Sequence, residues 1–355
     1  MFIEYFLAGS FLRIGKLDPE FLEKYVLSRT GFRDPRVIIG GRIGEDAAVI
    51  DLGSNKVLVV HTDPITGSVD LIGYLSITIP SNDIFVRGVK PSWASIALLF
   101  PPNASDSEID RVTKQMHETA EKLEISIIGG HTEFTDAVKR PVAVATMIGL
   151  GDRERIVTTS GARAGDLVAV TKSIGLEATA IIARELRDLL RSKSIPPEII
   201  ERASRYYEKI SIGREALLLS SRGYVSAMHD PTEGGLLAGL AEVAYASNKS
   251  LEINLDDIPI SEETRVLASA LNLDPLRILS SGSLIAIIKR EYINEAIDLL
   301  KREGVEIRVI GEVVDKRDYL VKLRSSIHGE FVIKDLFVRD PLIELFNKIF
   351  SEAEK

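Results

Sequence analysis

Apolar positions along this chain follow two periods, and their alternation predicts a mixed fold. Ile109, Val112, Met116, Ala120 and Leu123 fall at spacings of three and four behind Ser105-Asp106-Ser107-Glu108, which predicts a capped amphipathic helix. Residues 18–29 read as a shorter helix, with Phe21, Leu22, Tyr25 and Val26 on one side and Asp18 as its cap. Runs rich in Val, Ala and Met or Leu predict buried strands over 56–62 and 141–149. A brief strand at 125–128 is expected to hand Gly129-Gly130 to a loop. Further on come a strand at 166–171, a helix at 177–190, a loop at 192–198 around Pro196-Pro197, and a helix at 234–246. Strands at 251–255, 282–288 and 305–314, a helix at 292–301 and a closing helix at 335–350 complete the pattern.

Residues 151–164 lack apolar periodicity and scatter Arg153, Arg155 and Arg163 among threonines and glycines, as a domain boundary does. The expected layout is an N-terminal extension and helix over 1–34, a first domain over 35–155, a second over 156–340 and a helix end over 341–355. Strands alternate with helices in both domains, so the fold class is α/β (α+β). A length of 355 residues also suits two cores rather than one.

Composition narrows the chemistry. A net charge of −8 argues against nucleic acid as the main partner, because a duplex needs a basic face. No cysteine is present, so disulfides, thiolate metal sites and cysteine nucleophiles within these residues are excluded. The apolar start of the chain carries Glu4 before any positive charge, and no uncharged apolar run is long enough for a membrane span. A cytoplasmic location is the default expectation.

The candidate chemistry is acidic. Asp46 in Gly44-Glu45-Asp46, Asp63 in His61-Thr62-Asp63-Pro64 and Asp83 in Ser81-Asn82-Asp83 each stand where an apolar run meets a turn or helix. Asp46 and Asp63 also read as ordinary turn residues. Asp83 is harder to dismiss, because a charge inside an apolar helix needs a partner, and a cation would supply one. Gly129-Gly130-His131-Thr132-Glu133 offers close backbone approach; Glu133 reads either as a metal ligand or as a first-turn helix acid. His229-Asp230-Pro231-Thr232-Glu233-Gly234-Gly235 leads into a helix whose N–H groups suit phosphate, with a capping box as the plainer reading. The histidines (His61, His117, His131, His229 and His328) show no ligand spacing for zinc. No P-loop, Rossmann glycine pattern or nucleophile elbow is present. Clustered carboxylates with glycines suit Mg²⁺ shared with a nucleotide's phosphates.

In order and spacing these segments resemble the ATP-binding superfamily of aminoimidazole ribonucleotide synthetase (PurM-like). That group also holds the HypE-type carbamoyl dehydratases, thiamine-monophosphate kinase and selenophosphate synthetase. The match runs from about Gly15 to about Val314 and is nearest the HypE-like branch. The resemblance implies two domains and a homodimer whose N-terminal sheets close into a barrel, with ATP and Mg²⁺ in the cleft between domains. It implies Asp46, Asp63, Asp83 and Asp230 as metal ligands. Gly44, Asp46, Asn82, Gly129, Gly130, Asp230, Thr232, Gly234 and Gly235 would bind the cofactor, and Asp83, His131 and Glu133 would take catalytic parts. The implied activity is phosphorylation of an amide- or carbonyl-type oxygen on a small molecule or a partner protein's group. A kinase of the thiamine-monophosphate type and a non-catalytic ATP-binding regulatory protein stand as alternatives. Three departures stand out. The carbamoyl dehydratases carry their substrate group on a C-terminal cysteine, which this sequence lacks, so it is not expected to carry out that reaction on itself. Glu233 stands where those enzymes have Arg, and Pro80 predicts a kink ahead of Asn82-Asp83.

Overall fold

The computed structural model describes residues 15–327 and 329–353. The stretch 1–14, with most of the expected N-terminal extension, and His328 lie outside the described residues.

Strands β1 (Val37–Ile39), β2 (Ala48–Gly53), β3 (Lys56–Ile65), β4 (Pro91–Phe100), β5 (Ser126–Phe134) and β6 (Val142–Asp152) form one sheet in the order β1-β2-β3-β6-β4-β5. All pairs are antiparallel except β4 with β5. Two-residue alternation sorts the faces. Ala94, Ile96, Leu98 and Phe100 of β4 and Ala143, Ala145 and Met147 of β6 are buried, while Ser95, Ala97, Leu99, Val142, Val144 and Ile148 look the other way and stay half-exposed.

The buried face is covered by the helix α2 (Ile72–Phe85), which packs on α3 (Asp106–Leu123); the short α1 (Pro19–Leu22) precedes the sheet. Helix α2 is almost wholly buried, its polar residues Ser76, Thr78, Ser81, Asn82 and Asp83 included, because it lies between this sheet and the second domain. Pro80 sits inside α2 without ending it. Asn82 fastens the helix across: its Nδ2 donates to the Ile210 carbonyl at 3.0 Å, and its Oδ1 accepts from the Ile212 N–H at 3.1 Å.

Strands β7 (Leu167–Thr171), β8 (Val225–His229), β9 (Ser250–Asn254), β10 (Ile285–Ile288), β11 (Ile307–Val314), β12 (Val321–Ser325) and β13 (Gly329–Ile333) make the second sheet, ordered β13-β12-β9-β11-β7-β10-β8. Helices cover both its faces, which is why β10 is an unbroken apolar run. Helices α4 (Leu176–Glu185), α5 (Arg187–Ser192), α6 (Pro197–Ser204), α7 (Gly213–Ser221), α8 (Gly235–Ala246), α9 (Glu262–Ala270), α10 (Ile293–Arg302) and α11 (Pro341–Ala353) belong to this half. Helix α8 packs on one face, and α7 and α10 on the other.

Three sequence expectations are corrected. The helix expected over 177–190 is two, broken at Leu186, whose φ of −111° leaves the helical range. The segment 192–198 is not all loop, because α6 starts at Pro197. Gly129-Gly130-His131-Thr132-Glu133 is not a loop either: it lies inside β5, the exposed edge of the first sheet. Gly130 is needed there because its φ is +147° and a Cβ would fall 1.8 Å from the Ile96 carbonyl oxygen.

Candidate metal centre

Strand β3 ends its alternation with His61 and Asp63 on the same face as Val57 and Val59, beneath α2. Helix α2 lowers Asp83 onto that face. The loop before β2 brings Asp46, and the turn after β8 brings Asp230 from the second domain. Ligand atoms of Asp46, Asp83 and Asp230 all lie within 4.8 Å of one another, as do those of His61, Asp63 and Asp83. Asp83 is 6% exposed and Asp230 2%. Both Asp230 carboxylate oxygens and Asp83 Oδ2 are buried without a hydrogen-bond partner. Such groups are costly unless a ligand answers them.

The electrostatics bear this out. Burial, then the neighbouring Asp230, Asp63 and Asp46, push the Asp83 carboxyl well above its ordinary range. Burial and Asp46 push Asp230 up to about 7. Asp46 goes down: burial opposes its charge, but His229 and Arg87 outweigh it. His229 bridges two acids, with Nδ1 2.6 Å from Asp46 Oδ1 and Nε2 2.7 Å from Glu242 Oε2. Burial disfavours the imidazolium, yet those two carboxylates raise it to about 10.

Arg87 is fully buried behind Asp46. Its Nη1 lies 2.6 Å from Glu45 Oε2, and its Nη2 3.4 Å from Asp46 Oδ2. Glu45 in turn accepts from the Thr159 and Ser160 N–H groups at 3.2 Å, which ties this loop to the segment joining the domains. Buried carboxylates this close together, braced by buried counter-charges, offer the oxygen donors that a hard cation takes.

Residues 44–151 match the AIR synthase related protein N-terminal domain, and residues 163–323 its C-terminal domain. The chain belongs to the AIR synthase related family. A putative hydrogenase expression/formation protein of Methanocaldococcus jannaschii is 28% identical over 339 residues, covering 92% of this chain and 96% of that protein. Selenide, water dikinase 2 of Peptoclostridium acidaminophilum is 30% identical over 257 residues, covering 71% and 70%. Hydrogenase maturation protein HypE in complex with ATP superposes with a TM-score of 0.68 at 21% identity, covering 91% of this chain and 96% of that one. The PurM-like two-domain fold is thereby established for this AIR synthase related protein.

The structure gathers Asp46, Asp63, Asp83 and Asp230 and leaves other candidates outside. In register, Asp63 shares a row with Ala145, Ile96 and Gly130, so Gly130 stands three strands away on the same face. His131 shares the neighbouring row and points to the opposite face, as does Glu133. Their side chains are exposed and meet each other at 3.1 Å. Gly129 lies on that edge strand too. Asn82 spends its amide on residues 210–212. Gly44 packs against α8, where a Cβ would meet the Glu242 carbonyl oxygen at 2.8 Å.

The helix-end expectation also changes. The Gly234 N–H donates to Asp340 Oδ2 at 3.3 Å and the Gly235 N–H to the Thr232 carbonyl at 3.0 Å, so these two donors are answered from within. Sequence reasoning missed the parts of His61, His229, Arg87 and Glu242. The β3 alternation could have paired His61 with Asp63, and Glu242 is the one charge in α8.

These raised carboxyls set a pH dependence. An acid whose pKa is higher folded than unfolded holds extra protons in the native state, so stability falls as pH rises between the two values. Burial also raises Glu177 to about 7 and Asp340 to about 6, with Ser281 and the Leu342 N–H respectively opposing it. The imidazolium of His229 acts in the same direction above its unfolded value. Without divalent ions, the denaturation midpoint is expected to drop steadily from pH 5 to pH 8. A flat profile in denaturant titrations over that range would contradict the assignment of these carboxyls.

Proposed function

We propose that this AIR synthase related protein is an ATP- and Mg²⁺-dependent enzyme. It phosphorylates an amide- or carbonyl-type oxygen on a small molecule or on a partner protein's group. The observation that carries this reading is the convergence of Asp46, Asp83 and Asp230 from both domains, which Asp63 joins through Asp83, with three buried oxygens that have no hydrogen-bond partner. The donors are oxygens, as Mg²⁺ requires, and Asp46, Asp63, Asp83 and Asp230 would hold it. Bound there, Mg²⁺ would neutralise the charge of the transferring phosphoryl group. His61 is a poor ligand for this ion, because Mg²⁺ takes oxygen donors and the His61 Nε2 already faces Asp63 Oδ1 at 3.1 Å.

The chain's own residues do the positioning. Glu242 holds His229, His229 and Arg87 hold Asp46, and Glu45 fixes Arg87 to the joining segment. With no cysteine in the sequence, no thiol within these residues carries the acceptor group. The known nucleotide complex of HypE and the dikinase relative both support phosphoryl chemistry from ATP. The dikinase likeness also favours a second reading, direct phosphoryl transfer to a small acceptor.

Mg²⁺-dependent phosphate release from ATP, screened over carboxamides and phosphorylated acceptors, tests the proposal. Release stimulated by an amide supports the first reading, and a phosphorylated product with ADP supports the second. ATP binding with no stimulation by any acceptor would favour a non-catalytic regulator.

The half-exposed apolar face of the first sheet, including Leu99, Val142, Val144 and Ile148, supports a homodimer closed over that face. Light scattering should give twice the chain mass, and a Val144→Glu variant the mass of one chain. A single-chain mass for the unaltered protein would refute this.

A further inference from the structure

One cation reaches the rim of this site from outside both sheets. Lys16 Nζ donates to Thr232 Oγ1 at 3.1 Å and lies 3.6 Å from Glu242 Oε1, while its backbone N–H donates to Glu233 Oε1 at 2.8 Å. Gly15 makes the docking possible: its φ is +93°, and a Cβ there would lie 2.3 Å from Glu233 Oε1. The two residues thus form a strap seated on the turn that carries Asp230. Through Glu242 and His229 the Lys16 ammonium joins the chain of charges that ends on Asp46. Desolvation in the cleft opposes that ammonium. Glu242, then Glu233, Asp63 and Asp46, outweigh it and keep it charged. Yet the side chain stays about half exposed, 49%, so its flexible stem is free to swing.

We propose that Lys16 makes the centre selective for a divalent ion that arrives with phosphate attached. This rests on the ATP–Mg²⁺ reading above and adds the residue that meets the phosphates. A bare dication entering the acid cluster must approach the Lys16 positive charge, which weakens its binding. A metal–triphosphate brings anionic oxygens that the ammonium can leave Thr232 to grip, forming a charge-assisted hydrogen bond. The strap therefore opposes the ion alone and favours the ion with its nucleotide.

The test compares unaltered protein with Lys16→Met, Lys16→Arg and Asp83→Asn. Mn²⁺ alone is followed by electron paramagnetic resonance and AMPPCP–Mg²⁺ by calorimetry. Lys16→Met should bind AMPPCP–Mg²⁺ at least about tenfold more weakly and Mn²⁺ alone about threefold more tightly, with Lys16→Arg restoring both. Opposite signs are the signature, because a merely structural loss would lower both affinities. Parallel losses, or no change in either, overturn the assignment. If Asp83→Asn abolishes AMPPCP–Mg²⁺ binding while Lys16→Met leaves both affinities untouched, the metal centre stands and only the role of Lys16 falls. If the unaltered protein binds neither probe, both fall together.

Discussion

Asp83→Asn is expected to make the ion-free protein more stable while removing its ability to bind Mg²⁺–ATP. The buried Asp83 carboxyl has one oxygen with no hydrogen-bond partner and is crowded by Asp230, Asp63 and Asp46. A neutral amide relieves that crowding, and roughly 1–3 kcal/mol of added stability is expected. Loss of a direct metal ligand should cost more than loss of an outer partner, so at least about 100-fold in Mg²⁺–ATP affinity should disappear. The two effects together are diagnostic, since an acid serving only the fold would lose stability on substitution. Chemical denaturation and calorimetry measure them side by side. A destabilised Asp83→Asn that still binds Mg²⁺–ATP would refute the site.

The second large effect lies one layer out. Arg87→Met should destabilise the protein by about 3–5 kcal/mol, because it strands the Glu45 charge and leaves Asp46 with His229 as its counter-charge, the two acid side chains being only 5% and 7% exposed. Pairing it with Glu45→Leu removes one stranded charge, so the double variant should be more stable than the two single losses predict. Urea midpoints for the three variants decide it. Strict additivity would mean that Arg87 and Glu45 do not act as a pair.

How much of this was legible in the sequence varied with burial. Asp46, Asp63, Asp83 and Asp230 stood out because each interrupts apolar surroundings, and burial is what makes an isolated charge conspicuous. Helix α3 was readable for the same reason: one face is buried and one wet, so its period survives in the residue types. Strand β5 failed in the opposite way. Every residue in it is exposed, so nothing imposes alternation, and its paired glycines read as a loop. The break at Leu186 was hidden because Leu is a good helix former, and only the tertiary path reveals the turn. The distant partners of the acids were invisible for a different reason. Lys16 lies 216 residues from Thr232, and Arg87 41 from Asp46, so no local pattern links them.

The clamp made by Asn82 has a mechanical consequence. It bolts the helix bearing Asp83 to residues 210–212 beside α7, so the two halves cannot gape apart at that end without breaking two buried hydrogen bonds.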